Sequence, residues 1–291
     1  HNLVKTHGGV PIITKTFGLN DEFNVPRNSV KECIDYIVQL CDEAAADLPV
    51  EQTGDDYGRA NMGGALALKA RILLFAASDL FQDASWASGY SNPELITYGG
   101  DRAANWRAAK DAAKVVMDMG YTLHQPTGDG MADYYDLSIT KESNEHIFGR
   151  SFIKARGWES ADSDTHSPLF NGPNGYHAWA GNTPIQEFVD DYEMIDGTPF
   201  DWNNPVHAAA PYENRDPRFY ATILFDGAQW RPRPSDMAGL DPDGRVSIRS
   251  TWDSNDKSGN KSAGLDTREG PVETWNGGYS GYYLRKAIDI S

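Results

Sequence analysis

The sequence predicts a mainly α fold: helical hairpins in the first part of the chain, then a long loop-rich lobe with a few short strands. Two observations carry this reading. Three segments before residue 120 repeat apolar positions at the three- and four-residue spacing of a helix face. Beyond Gly120 the texture turns to Gly, Pro, Asn, Asp and Trp with no sustained period. The predicted division therefore separates residues 1–124 from residues 125–291.

The first long helix is predicted over residues 29–48, with Val30, Ile34, Ile37, Leu40, Cys41, Ala44 and Leu48 on one face. Ser29 and Glu32 make a capping box at its start, and Pro49 forbids continuation. The second, residues 61–81, carries two stripes: Ala65, Leu68, Ile72 and Phe75, and Ala67, Ala70, Leu74 and Ala77. With Gly63 and Gly64 near its start, such small residues let neighbouring helices approach on two sides. The third, residues 101–119, places Trp106, Ala109, Ala113, Val116 and Met117 inward and meets the helix-ending Gly120. The pattern is tetratricopeptide-like, without a clean period of ~34 residues.

Later elements are shorter. Residues 144–152 read as a strand, 184–192 as a short helix, and 217–224 as a helix or strand. Residues 153–182 and 226–282 read mostly as loop, and loops of such length in a compact domain are usually functional or flexible. Ligand capture is one reason for them to exist.

Composition narrows the partners. Of 291 residues, 26 are basic and 42 acidic, a formal net charge of −16, which opposes binding to nucleic acid or to an anionic membrane surface. The longest apolar stretch, residues 65–81, is interrupted by Lys69 and Arg71 and falls short of the ~20 clean apolar residues of a membrane span. Cys33 and Cys41 sit eight positions apart on one predicted helix, about 12 Å along its axis, so they cannot bridge there and read as small buried hydrophobes. The chain opens at His1 without initiator Met, signal peptide or lipid-anchor cysteine.

Against this background Gly58-Arg59-Ala60 followed by the helix from Gly63 to Ser78 resembles the signature helix of the SusD/RagB nutrient-binding proteins, surface glycan-capture lipoproteins of the Bacteroidetes. Further segments agree in order: Gly8-Gly9-Val10-Pro11, Pro26-Arg27, residues 44–49 and 186–197, Asn214-Arg215-Asp216-Pro217-Arg218-Phe219, and Gly281-Tyr282-Tyr283-Leu284-Arg285-Lys286. The resemblance implies a scaffold of tetratricopeptide-like hairpins carrying a loop-rich lobe, anchored by a lipidated cysteine at the outer face of the outer membrane. It implies a SusC-like TonB-dependent transporter as partner, with the protein sitting as a lid over its mouth, and an oligosaccharide or peptide as ligand. The chain lacks the anchor and the N-terminal helical part of that pattern, so it is expected to be a fragment whose membrane link lies elsewhere.

Sugar rings present an apolar C–H face to Trp and Tyr and hydroxyls to short polar side chains. Residues 156–182 hold that mixture, and Trp158, Tyr176, His177, Trp179 and Asn174 are the candidate ligand-binding residues. Trp230, beside Arg231 and Arg233, is a further candidate, facing ligand or transporter. Tyr282, Tyr283 and the Arg215, Asp216 and Arg218 group are expected to be structural. No Gly-x-Ser-x-Gly, His-Glu-x-x-His, phosphate-binding glycine loop or Cys-x-x-Cys occurs, so no catalysis and no cofactor are expected. Residues 253–260 superficially resemble a calcium loop, but Lys257 stands where an oxygen ligand is needed. A solvated turn is favoured there, with a structural calcium as the alternative. A peptide-binding member of the family, a glycoside hydrolase and a protein-binding helical adaptor are the competing functions.

Overall fold

The computed structural model describes residues 1–83, 85–87, 89–149, 167–239, 244–246, 264–268 and 277–289. These residues form two compact units. The first takes residues 1–123 and the stretch that returns at Asn144; the second takes residues 124–143 and the rest of the chain.

The first unit is helical. A short α1 (Asn2–His7) precedes α2 (Val30–Asp47), whose start is fixed by the expected box: the Glu32 amide donates to Ser29 Oγ at 3.1 Å, and Glu32 Oε2 accepts from the Ser29 amide at 2.7 Å. Next come α3 (Met62–Ala77), the single-turn α4 (Asp79–Gln82) and α5 (Arg102–Met117), with α3 packed against both α2 and α5. The predicted second helix is thus split at Ser78, whose extended backbone caps α4 while its hydroxyl donates to Phe75 O at 2.7 Å. Val30, Cys33 and Ile34 of α2 close on Ile72 and Ala76 of α3 and Val4 of α1. Each buried Ile there contributes about 1.5–3 kcal/mol by leaving water. Gly63 lets this unit close tightly, since a Cβ there would lie 2.0 Å from Tyr121 Oη.

The inward face expected on α5 is only half buried. Ala109 and Val116 are covered, whereas Trp106 is 40% and Met117 70% exposed. Neighbouring helices cover one stripe of α5 and leave the other bare. Residues 144–149 are turns instead of the expected strand: the Thr122 amide donates to Asn144 O and Asn61 Nδ2 to Ile147 O, so the chain is held by single bonds without a ladder.

The second unit begins with α6 (Gly130–Ile139), which sequence periodicity does not announce. Its signal is the cap, Asp129, whose carboxylate accepts from the Met131 and Ala132 amides. Then come α7 (Ser167–Asn171), α8 (Gln186–Asp190), α9 (Pro205–Ala209), α10 (Pro217–Thr222) and β1 (Ile223–Leu224), which pairs antiparallel with β2 (Tyr283–Leu284) in the register Ile223↔Leu284 and Leu224↔Tyr283. The ambiguity over residues 217–224 resolves as both: Pro217 opens a helix, and the β-branched Ile223 starts the strand. Tyr282 and Tyr283 are buried, in two apolar clusters that also take in Phe219 and Ile223 on one side and Leu224 and Trp230 on the other. Among the described residues no helix is long and apolar enough to cross a membrane, and no group of three His, Cys, Asp or Glu is placed to hold a metal. The calcium-like residues 253–260 lie outside the described residues.

Candidate functional site

The candidate site is the loop after α7, residues 172–182, and it is built from beneath. Arg233 and Asp266 form an ion pair whose side chains are both 0% exposed, with Nη1 donating to Oδ1 at 2.9 Å and Nη2 to Oδ2 at 2.7 Å. Asp266 Oδ1 also accepts from the Gly175 amide at 3.0 Å, and Thr267 O accepts from Asn174 Nδ2 at 3.0 Å. The Arg233 guanidinium lies 4.1 Å from the centre of the Tyr176 ring, a cation–π contact away from water. Only glycine fits at 175, because a Cβ would lie 2.5 Å from both Arg233 Nη1 and Asp266 Oδ1.

The loop then folds back on α7. The Trp179 amide donates to Leu169 O and the Asn182 amide to Phe170 O, while the Phe170 and Trp179 rings meet edge to face at 5.4 Å. His177 (φ 59°) and Ala180 (φ 50°) both take the left-handed backbone that costs a residue with a Cβ about 1–3 kcal/mol. Two such positions bracketing one Trp show a loop shape over-determined by its surroundings. His177 is exposed and its Nε2 meets Asp236 Oδ1 at 3.1 Å. That hydrogen bond holds the Asp236 carboxyl below its ordinary range.

The expected ligand residues separate into two layers. His177 is exposed and Trp179 half-buried, so both present atoms to solvent. Tyr176 (3% exposed), Asn174 (1%) and Trp230 (7%), the other expected ligand residues, are buried in this structure. Tyr176 and Trp230 pack in one cluster with Leu224 and Tyr283, and Arg285 lies 5.1 Å over the Trp230 ring. Trp158 lies outside the described residues. Sequence reasoning missed Asp266, the hub of the loop; an aspartate in a Gly- and Asp-rich stretch carries no local signal that it will be buried.

An open cleft of about 430 Å³ lies elsewhere in this unit, bounded by Asp129, the cap of α6, by Met131 of α6 and by Ile195, Asn214, Arg215 and Tyr220. Its charged groups are committed internally. Arg215 donates to the backbone carbonyls of Pro211, Val189 and Tyr192 and rests on the Phe200 and Phe219 rings, and burial lowers its pKa. Arg218 chelates Asp216, the cap of α10. Asp129, Arg215 and Tyr220 of this cleft are thus engaged with the surrounding backbone, whereas the 172–182 loop turns His177 toward solvent.

A predominantly helical chain with a pinned aromatic loop matches known proteins. The SusD family model matches residues 144–291, and the chain belongs to the SusD family. A SusD-like protein of Bacteroides fragilis is 26% identical, with a TM-score of 0.66 over 99% of this chain and 48% of its own. A SusD-like carbohydrate-binding protein of the same organism shares the fold at 20% identity, with a TM-score of 0.65 over 99% of this chain and 45% of its own. The chain thus spans about half the length of these solved structures. No curated protein matches it.

Proposed function

We propose that this chain contributes a non-catalytic glycan-binding surface to a cell-surface SusD-type protein that hands oligosaccharide to a SusC-like TonB-dependent transporter. The carrying observation is the 172–182 loop, pinned by the buried Arg233–Asp266 pair and two left-handed residues so that Trp179 and His177 meet solvent in a fixed arrangement. Preorganised aromatic and polar groups bind sugar without paying to order themselves on contact. The carbohydrate-binding description of one structural neighbour supports the same ligand class. Binding of this kind needs no cofactor and no proton transfer. Attachment to the outer membrane belongs to this reading through a lipid anchor on the longer protein.

Calorimetric titration with a panel of neutral oligosaccharides tests the reading. One aromatic stack is worth about 0.5–1.5 kcal/mol, so Trp179→Ala is expected to weaken the best ligand roughly three- to tenfold. Unchanged affinity in that variant removes the site assignment. Release of reducing sugar from the bound ligand would replace binding with hydrolysis, and capture of a peptide in place of a glycan would change the ligand class.

A further inference from the structure

Tyr279 is 88% exposed, more than any other aromatic side chain among the described residues. An exposed aromatic is ordinary on a loose tip, but this one is held. The Arg268 guanidinium lies 4.4 Å from its ring centre, and Arg268 Nη1 donates to Gly277 O at 3.4 Å. The backbones of 268 and 277 approach so closely that a Cβ on Gly277 would sit 2.5 Å from the Arg268 amide nitrogen. The Gly278 amide donates to Tyr283 Oη at 3.3 Å, and Tyr283 Oη donates in turn to Asp266 O. A Cβ on Gly278 would meet Thr183 Cγ2 at 2.7 Å, so this turn packs on the end of the candidate loop.

The turn carrying Tyr279 and the loop carrying Trp179 are therefore fastened to the same residues. Asp266 serves both through its carboxylate and its carbonyl, and Thr267 O takes Asn174 of the loop. We propose that Tyr279 is a second stacking residue, taking the C–H face of a sugar ring other than the one against Trp179, so that the ligand is an oligosaccharide engaging both rings at once. The proposal rests on the glycan-binding reading. Arg268 is then a positioning residue: it backs one face of the ring and leaves the rest to solvent.

The test titrates wild type, Tyr279→Ala, Tyr279→Phe and Trp179→Ala with maltohexaose, cellohexaose, xylohexaose and mannohexaose, with thermal unfolding of each variant alongside. We expect Tyr279→Ala to weaken the best-bound hexasaccharide about three- to tenfold with an unchanged melting temperature, and Tyr279→Phe to stay within about twofold of wild type. Wild-type affinity in Tyr279→Ala alongside a loss in Trp179→Ala overturns the role of Tyr279 and leaves the glycan reading standing. A loss in Tyr279→Phe equal to that in Tyr279→Ala overturns stacking in favour of a hydroxyl hydrogen bond. Absence of wild-type binding to all four sugars removes the glycan reading, and the role of Tyr279 with it.

Discussion

Replacing Asp266 by Asn perturbs the candidate site at its root. The carboxylate is 0% exposed and neutralises Arg233, which is itself buried, so the amide leaves a guanidinium without its counter-charge in an apolar setting. Removing one partner of such a buried pair costs about 3–5 kcal/mol, far more than the ~0–1 kcal/mol of a surface pair such as Lys31–Asp35. At about 2–4 °C per kcal/mol for a body of this size, the melting temperature should fall by roughly 6–20 °C. Amide exchange is expected to speed up at Gly175, whose N–H bonds to Asp266 Oδ1 at 3.0 Å, and to remain slow in α2 and α3. Urea or thermal unfolding gives the first number, and hydrogen exchange read by mass spectrometry gives the second. The double variant Arg233→Met with Asp266→Leu should recover most of the loss, because well-packed apolar side chains can replace a buried pair at little cost. A destabilisation below about 1 kcal/mol in Asp266→Asn, or a double variant no better than the single, would refute the reasoning.

Three further outcomes follow from single contacts. Gly175→Ala forces a Cβ to within 2.5 Å of Arg233 Nη1 and Asp266 Oδ1, and chemical denaturation should show a loss of about 1–3 kcal/mol; no change would mean the loop relaxes freely. Ser29→Ala removes the cap of α2 and should cost about 1 kcal/mol, measured in the same way, with Ser29→Thr nearly neutral. Asp133 is pushed up by burial, but hydrogen bonds from Thr127 and the Gly128 amide outweigh this and hold its carboxyl below the ordinary range. Its stabilising contribution is thus complete above the ordinary carboxylate value of about 3.9 and is lost as pH falls through the lower folded value, so the melting-temperature gap between wild type and Asp133→Asn should close in acid; a gap constant from pH 7 to pH 2 contradicts it.

The sequence by itself determined the long helices and the family. Local chemistry suffices for α2, where the Ser29–Glu32 box starts the helix, its apolar spacing selects the buried face and Pro49 follows its end. The same holds for the ordered glycine, proline and aromatic motifs, since each constrains backbone within a few residues of itself. Tertiary structure decided everything that depends on distant partners. It chose which stripe of α5 is covered, Ala109 and Val116 but not Met117, because coverage depends on where neighbouring helices lie. It placed Tyr176, Asn174 and Trp230, expected as ligand contacts, below the surface, and left His177, Trp179 and Tyr279 with exposed atoms. The physical reason is that an aromatic residue in a loop carries the same local signal whether it faces core or solvent. What separates the two is a contact across the chain, here Asp266 reaching 91 positions back to Gly175.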